Sequence, residues 1–396
     1  MMKQRGHNYI FIIVALFWFA QYIYMPFFSP FLALIDVPAS IIGVIAGSYG
    51  FTQMALRMPL SIFGSIKGNH KAIIGGGLVV VLLSCSMPLL SHSWVSFLLT
   101  RALAGVASST WVSYSAYLLE DAGPMAKQRM GYLMAANTGG ICISQITGTV
   151  FFNFGGLNTL FVIAIFAAAA GVVLLGFTSF THRGAANAPR PAFTKRSLIE
   201  TLTNRNLWFC SMLMLLAQWV LVSSNFTFTG IFAQEALRAD ALHLGLIALV
   251  FQVSSTATSI LFGKFGGRDL PEKPLLISAF SLAAFCCAAI TFCNLAALIV
   301  MQAIYGVAKS AIGVILFARA GRNLSDDQQL LSMGFFQSVY GIGMTVGPAV
   351  TGFVFERSGG NFALIFYALA AVAVIGAVCT AFSGPRAPRI PASGRV

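Results

Sequence analysis

The chain has 396 residues, of which 58% are hydrophobic and only 9% are charged, and its mean hydropathy is +0.83. Soluble globular domains carry about a quarter charged residues, so this composition excludes a soluble globular protein. The formal net charge of +13 would suggest nucleic-acid binding in a soluble chain, but in a membrane protein its distribution between the two sides matters first.

Apolar runs that are long enough to cross a bilayer follow one another along the sequence and predict twelve membrane-spanning helices. The first run is too long for a signal peptide, so we expect it to be retained. The predicted fold class is therefore an all-α polytopic membrane protein. The predicted helices span residues 8–32, 41–66, 71–90, 94–120, 128–152, 158–181, 206–232, 242–266, 274–292, 295–320, 329–355 and 361–383.

Lysine and arginine residues in the predicted loops lie almost entirely on one side of the membrane. Nineteen fall on that side, and only Arg238 and Arg357 fall on the other. Because basic loops stay in the cytoplasm, both termini are predicted to be cytoplasmic, in a bacterial inner membrane. The positive charge then needs no nucleic-acid partner.

The longest polar segment divides the predicted helices into two sets of six. The predicted domains are an N-terminal bundle (1–181), a cytoplasmic linker (182–205), a C-terminal bundle (206–383) and a cytoplasmic tail (384–396). The linker begins rich in Pro, Ala and Gly, and its second part, Lys195–Asn204, is predicted to form a short amphipathic helix on the inner surface.

The two sets of helices share short sequence repeats. Residues 101–109 (RALAGVASS) match residues 302–310 (QAIYGVAKS) at an offset of 201. The glycine-containing basic loops after predicted helices 2 and 8 match at an offset of 202. The starts of predicted helices 5 and 11, residues 130–132 and 333–335, match at 203. Three helix pairs with nearly one offset indicate duplicated halves, as in many transporters.

With twelve helices, a central linker and this repeat, the chain resembles the major facilitator superfamily over nearly its whole length. That family has a glycine-rich basic loop between helices 2 and 3, which this sequence matches only at Gly68, and the equivalent loop after helix 8 keeps Arg268. The family's helix-4 arginine, with a glycine four residues later, is present as Arg101 and Gly105.

A further pattern resembles one found in drug antiporters of the same family. There it lies in helix 5, whereas here Gly343-x-x-x-Gly347-Pro348 occurs in helix 11. The resemblance as a whole implies two pseudo-symmetric six-helix bundles, a central cavity between them, and rocker-switch alternating access. It also implies that helices 1, 4, 7 and 10 line the cavity.

The depth of the charged residues gives the most direct indication of function. All eleven acidic residues fall in predicted loops or at helix ends, whereas the cations Arg57, Arg101 and Lys309 fall within helices. A cation at the centre of a membrane helix costs about 3 kcal/mol on insertion scales, so it is usually functional. A cavity with cations and no carboxylate favours an anionic or carboxylate-bearing solute.

Lys309 is the strongest candidate for contact with substrate or for coupling. It lies about 21 Å along predicted helix 10, past the membrane midplane. The alternative is a helix-pairing lysine bonded to neighbouring carbonyls or hydroxyls. Arg101, in the outer half, is either a solute or coupling residue or a brace between helices. Arg57, nearer the cytoplasmic end, can extend to the surface, and we expect a gating or structural role.

The uncharged candidates for substrate binding lie on the helices that the family resemblance assigns to the cavity. They are Gln21, Tyr22, Trp111, Tyr114 and Asn225. For the aromatic residues the alternative is the interfacial aromatic belt. Gating or structural roles, chiefly close helix packing at small residues, are predicted for Gly68, Gly105, Gly306, Arg268, Gly347 and Pro348.

No enzyme motif is present: the sequence has no P-loop, and its seven cysteines and five histidines show no metal-ligand spacing. We therefore expect neither enzyme activity, cofactor nor metal. The predicted function is a monomeric secondary transporter for a small organic anion or zwitterion, driven by a proton gradient or by anion exchange. Efflux of drugs or of a metal-chelating metabolite is the alternative, and a non-transporting membrane sensor is a second one.

Overall fold

The computed structural model describes residues 2–67, 69–119, 125–178, 195–265, 271–322 and 326–382. In these ranges the chain is helical apart from short connections, and it contains no strand. The helices are α1 (Met2–Tyr22), α2 (Met25–Leu34), α3 (Ala39–Lys67), α4 (His70–Leu90), α5 (Trp94–Ser109), α6 (Trp111–Leu119), α7 (Ala126–Phe177), α8 (Lys195–Thr203), α9 (Arg205–Ser223), a π-helix (Ser224–Phe228), α10 (Thr229–Glu235), α11 (Ala241–Phe265), α12 (Glu272–Ala289), a 3₁₀-helix (Ile290–Phe292), α13 (Leu295–Ala320), α14 (Asp326–Arg357) and α15 (Phe362–Ala381).

The prediction of twelve membrane crossings is confirmed. Eleven stretches of the described chain are long and apolar enough to cross a membrane, and one of them, Gln128–Phe177 in α7, is 50 residues long. A bilayer needs only about 20 helical residues, so this stretch supplies the fifth and the sixth crossing. The helix is interrupted between them at Gly155 and Gly156. Gly156 has φ +62°, a left-handed conformation that glycine adopts without strain.

Three crossings are broken within the membrane. The first is interrupted after Tyr22, and α2 begins with Pro26 in its first turn. Pro26 and Pro30 predict a bend in this crossing, because a proline inside a helix removes a backbone hydrogen bond. The fourth is interrupted at Thr110, between α5 and α6. The seventh contains the π-helix Ser224–Phe228, which the sequence did not predict. Single π turns inside α-helices occur frequently at functional sites.

The duplicated halves are visible in equivalent close contacts between helices. In the N-terminal half a side chain at Gly105 of α5 would overlap the carbonyl of Tyr49 in α3. In the C-terminal half a side chain at Gly306 of α13 would meet the carbonyl of Phe251 in α11. The offsets of these pairs are 201 and 202 residues. A second equivalent pair of contacts joins α7 to α1 and α14 to α9. Gly140 of α7 packs against the backbone of Ala15, and Gly343 of α14 packs against the backbone of Leu215.

The two halves are in contact at one end of the bundle, which we call the non-basic end because Asp36 and Asp240 lie in its loops and Glu356 lies in the last turn of α14. Contact between α3 and α14 continues toward the opposite end, as far as Met58 and Gly334. The opposite, basic end carries Lys71 and Arg319. At the non-basic end the first turns of α3 pack against the last turns of α14. Their contact includes a hydrogen bond of 3.1 Å from the backbone N–H of Ser40 to Oε2 of Glu356.

The other helix pair between the halves, α7 and α11, makes close contact near the same end. A side chain at Gly245 of α11 would overlap Thr149 of α7. Nearer the basic end, Gly131 of α7 and Gly263 of α11 have no atom of another helix within 4 Å of a side-chain position. A hydrogen bond of 3.3 Å from Ser29 Oγ in α2 to the carbonyl of Phe226 adds to the contact at the non-basic end. The space between the halves is therefore closed at that end.

Several predictions concern the linker, the tail and the two loop residues Gly68 and Arg268. The predicted linker helix is confirmed as α8, Lys195–Thr203, and the indole N–H of Trp208 donates to the carbonyl of Leu202 at its end over 2.8 Å. Gly68, Arg268, the first part of the linker and the tail 384–396 lie outside the described residues.

Candidate functional site

A cavity of about 240 Å³ lies inside the C-terminal half at the depth of Lys309. Helices α9, α11, α12, α13 and α15 form its walls. The polar side chains that line it are Gln218, Ser259, Tyr305, Lys309 and Ser310. The apolar and glycine residues are Met214, Ala217, Val220, Leu221, Phe280, Ala283, Ile312, Gly313, Val314, Phe317 and Ala373. All of the described residues that line this cavity belong to the C-terminal half.

Lys309 is the only charged residue among those that line the cavity. Its Nζ donates one hydrogen bond, of 3.1 Å, to Ser255 Oγ in α11. An ammonium group has three N–H donors, and within the described part of the chain no carboxylate lies within ion-pair distance of this one. Two donors of a charged group in a largely apolar cavity are therefore left for a ligand.

The other polar groups of the cavity are bonded mainly to one another. Tyr305 Oη lies 2.9 Å from Ser224 Oγ, and the hydroxyls of Ser259 and Ser310 lie 2.6 Å apart. Because these hydroxyls already have partners, they add polarity to the site without competing for the ammonium group. Lys309 is thus the charged group of this cavity with donors left over, and the amide of Gln218 is the other lining group with no hydrogen-bond partner among the described residues.

The position of Lys309 follows from helix packing. Gly306, one turn before it, allows α13 to approach the backbone of α11 at Phe251, which brings Ser255 within reach of Lys309. Tyr305 and Lys309 are four residues apart on α13 and so share a face. Small residues at such contacts permit close packing of membrane helices. The predicted packing role of Gly306 agrees with this geometry.

Arg101 occupies a different environment in the N-terminal half. Its side chain is only 8% exposed, and its guanidinium carbon lies 4.5 Å from the ring centre of Tyr49 and 5.9 Å from that of Phe28. Its Nη1 lies 3.2 Å from the sulfur of Met25. The guanidinium is therefore packed against aromatic rings of α2 and α3. This arrangement matches the alternative of a brace between helices.

A chain of hydrogen bonds fills the space next to Arg101. Tyr49 Oη donates to Ser108 Oγ over 2.8 Å, and Ser108 Oγ donates to Gln21 Oε1 over 3.0 Å. Gln53 Nε2 donates to Tyr49 Oη over 3.4 Å. Gln21 is 3% exposed, and Ser108 is fully buried. Gln21 is thus a member of an enclosed polar cluster in this structure.

The aromatic candidates of the N-terminal half are only partly accessible. Tyr114 is fully buried, whereas Trp111 and Tyr22 are half-buried. The ring centres of Trp111 and Tyr114 are 6.1 Å apart, and Trp18 lies 5.5 Å from Trp111. Tyr22 lies 6.5 Å from Phe226 of the other half. These residues form one continuous aromatic cluster, and Tyr22 is its contact across the halves.

Tyr22 and Asn225 line a second, smaller cavity between the halves, together with Gln145 and Phe226. Its volume is about 30 Å³, close to that of one water molecule. Asn225 Nδ2 donates to Gln302 Oε1 over 3.0 Å. The structure therefore brings Tyr22 and Asn225 together but separates both from the larger cavity around Lys309.

Arg57 does not extend to the membrane surface, contrary to the expectation from its position. It is 8% exposed, and its Nη1 donates to Tyr340 Oη in α14 over 3.0 Å. The bond joins the two halves, because α3 and α14 belong to different halves. Gly347 and Pro348 also lie at helix contacts. A side chain at Gly347 would collide with Trp219, and the carbonyl of Pro348 faces the glycine at position 43.

The chain matches the family model described as "Major Facilitator Superfamily" over residues 10–239 and 208–395. Together the matches cover almost the whole chain. The chain belongs to that superfamily. Membership confirms the resemblance inferred from the sequence. Members of the superfamily are transporters and in general are not enzymes, so the protein is a membrane transporter by family and by fold.

Two solved structures of superfamily transporters resemble this one over nearly their whole length. The nucleoside transporter NupG has a TM-score of 0.77 at 15% identity, with 95% of this chain and 98% of that chain covered. A bacterial homolog of the human lysosomal transporter Spinster, in an inward-facing and unoccupied conformation, has a TM-score of 0.68 at 15% identity, with 96% and 94% covered. At such identity the likeness shows the fold alone. No curated protein matches the chain.

Four residues around Lys309 in this superfamily transporter were not among the predicted site residues: Gln218, Ser255, Ser259 and Tyr305. A signal for each of them was present in the sequence. Ser255 and Ser259 are four residues apart on one helix, and Tyr305 is one turn before the intramembrane lysine. The two serines, one turn apart on a neighbouring helix, could have indicated a polar surface facing Lys309. Gln218 is a polar residue of the seventh predicted helix, which the family resemblance assigns to the cavity.

Proposed function

We propose that the protein is a secondary active transporter for a small organic anion or zwitterion. The observation that carries this proposal is the ammonium group of Lys309, which lies in a cavity and has a single hydroxyl partner and no carboxylate partner among the described residues. Charge-assisted hydrogen bonds in a site of low dielectric are strong, so a carboxylate is a suitable ligand for the two remaining donors.

We propose that the solute is carried by alternating access of the two halves. Contact between the halves at the non-basic end supports this, since a carrier must be able to close on one side of its site. In the described helices the acidic residues lie at or near helix ends or in α8. Coupling would therefore not use a carboxylate relay but a proton carried by the solute, or exchange for a second anion.

The proposal includes the orientation and the domain boundaries expected from the sequence. The basic end would face the cytoplasm of a bacterial cell, with both termini on that side of the inner membrane. Residues 1–181 and 206–383 would be the two moving bundles, joined by the linker 182–205, and residues 384–396 would form a cytoplasmic tail. The transporter would act as a monomer.

The proposal is tested with purified protein in nanodiscs of zwitterionic lipid. Thermal unfolding is followed with a panel of mono- and dicarboxylic acids, amino acids and sugar phosphates, and with the neutral amide of each acid. The acids that stabilise the protein are then tested for counterflow in proteoliposomes. We expect at least one acid, and not its amide, to stabilise the protein and to be transported.

The decisive variant is Lys309→Gln, with Lys264→Gln at the basic end of α11 as the matched control. Lys309→Gln should weaken the response to the stabilising acid at least 10-fold at an unchanged yield of folded protein, and Lys264→Gln should keep it. Undiminished binding and transport in Lys309→Gln would disprove the anion proposal, as would stabilisation by neutral or cationic solutes alone.

A further inference from the structure

The Lys309 cavity has one side of mixed polarity and one side that is wholly apolar. Its polar groups come from α9, α11 and α13, the helices nearest to Lys309. The other side is formed by α12 and α15, which contribute only Phe280, Ala283 and Ala373. We call these three residues the apolar wall. Residues of α15 that face away from the cavity, such as Ile375, are exposed, so α15 separates the cavity from the lipid.

The apolar wall is a defined surface. The ring of Phe280 packs on Gly376 of α15, where any side chain would collide with it, so the ring is held between α12 and α15. Ala283 and Ala373 are buried and carry only a methyl group each. Small side chains beside one fixed ring leave open space in front of the wall.

The size of the cavity favours a ligand that fills more than its polar side. At about 30 Å³ for each water molecule, 240 Å³ corresponds to about eight water-sized atoms or groups. A two-carbon acid at Lys309 would leave the apolar wall without contacts. Water in front of the wall would lack hydrogen-bond partners, since a stable buried water needs two to four of them.

We propose that the solute of this site is an amphipathic monocarboxylate with a compact apolar body. Its carboxylate binds Lys309, and its body of about five to seven carbon atoms lies on the apolar wall. This inference rests on the proposed transport of an anion and adds the chemical class of the solute. It also makes Ala283 and Ala373 residues that determine specificity, because their size sets the length and width of the body that fits.

The first test is a series of straight-chain monocarboxylates from two to twelve carbons, added to the full-length protein in nanodiscs of zwitterionic lipid. Binding is measured by calorimetry, with the primary amide and the primary amine of each length as controls for partition into lipid. Each buried methylene should raise the affinity about fourfold. We expect this rise up to about eight carbons, a plateau or fall beyond, and no comparable binding of amides or amines.

The second test changes the apolar wall. Ala373→Leu should weaken binding of octanoate at least 10-fold and leave butanoate within about twofold. Ala371→Leu, at an exposed position two residues earlier on α15, is the matched control and should bind as the unmodified protein does. If Ala373→Leu does not fold, Ala283→Val fills the same space from α12 with a smaller change.

The outcomes separate this inference from the proposed function. Binding of carboxylates that depends on Lys309 but not on chain length would overturn the apolar-body inference and leave anion transport standing. A rise with chain length that neither wall variant alters would also overturn it, because the body would then lie elsewhere. If amides and amines bound as tightly as carboxylates of the same length, the apolar-body inference would also be overturned. Failure of every carboxylate to bind would remove the proposed function itself.

Discussion

The two halves of this transporter place their membrane cations in opposite kinds of surroundings. In the N-terminal half Arg101 is packed against Tyr49 and Phe28, and hydrogen-bonded side chains fill the space beside it. In the C-terminal half Lys309 lies at the wall of a 240 Å³ cavity and has one hydroxyl partner. One cation is enclosed by its own protein, and the other is accessible to a ligand.

The repeat shows how one scaffold gives both arrangements. Lys309 corresponds to Ser108 at an offset of 201, and its partner Ser255 corresponds to Gln53 at an offset of 202. In the N-terminal half, Ser108 and Gln53 are both hydrogen-bonded to the hydroxyl of Tyr49. In the C-terminal half Phe251 replaces that tyrosine and lacks its hydroxyl. The same backbone contact therefore supports a polar cluster in one half and a binding cavity in the other.

The strongest effect should come from breaking the close helix contact that occurs once within each half. Gly105→Leu and Gly306→Leu each place a side chain against a carbonyl of the neighbouring helix, so both should abolish folded protein in detergent extracts. Gly313→Leu, at a glycine of α13 with no neighbouring atom within 4 Å, should fold and reduce solute binding. Size-exclusion profiles of the three variants decide this. A folded Gly306→Leu protein would show that α13 does not need its contact with α11.

The second prediction exchanges the equivalent residues of the two sites. Ser108→Lys should destabilise the protein by about 3 kcal/mol, because the new ammonium group would be enclosed with Gln21 and Tyr49 and have no carboxylate. Lys309→Ser should leave the thermal unfolding midpoint unchanged or higher, since it removes an unpaired charge. If both variants unfold at the same lowered temperature, the two environments do not differ in the way the contacts indicate.

The fold was predictable because hydropathy, loop charge and the repeat are patterns that extend over many residues, so no single residue decides them. The break after Tyr22 followed from proline chemistry. Two features depend on tertiary packing and were not predicted. They are the π-helix Ser224–Phe228 in the seventh crossing and the left-handed conformation of Gly156 at the interruption of α7. Neither leaves a periodic trace in the sequence.

The candidate site was predictable only in part. The depth of an unpaired lysine in an apolar run indicated Lys309, because charge in a membrane is costly wherever it occurs. The cavity beside it depends on small side chains of α12 and α15, such as Ala283 and Ala373, which in the sequence resemble lipid-facing positions. The enclosure of Arg101 depends on Met25, which α2 places beside the guanidinium after the break in the first crossing.

The third prediction asks whether Arg101 is a brace or a ligand residue. Arg101→Leu should lower the free energy of unfolding by about 2 kcal/mol, through loss of the cation–π contact with Tyr49 and of packing along the side chain. Binding of carboxylates at the Lys309 cavity should stay within about twofold. Chemical unfolding and calorimetry measure the two effects. Normal stability combined with lost binding would assign Arg101 to the solute instead.

The smallest effect should come from the hydrogen bond between Arg57 and Tyr340, which joins the two halves. Tyr340→Phe removes one such bond and should cost about 1 kcal/mol, since Arg57 keeps its packing and only its Nη1 loses a protein partner. Tyr367→Phe, at a 45% exposed position on α15, removes a hydroxyl of the same kind and should have no measurable effect.

This last pair of variants also tests how far the contact between the halves extends toward the basic end. If the bond restrains separation of α3 and α14, Tyr340→Phe should speed amide hydrogen exchange in residues 54–60 of α3, whereas Tyr367→Phe should not. Unchanged exchange with lowered stability would mean that the bond holds the folded state together without restraining the halves. Unchanged exchange and unchanged stability would mean that Arg57 finds an equivalent partner in water, and the contact that matters would then be confined to the non-basic end.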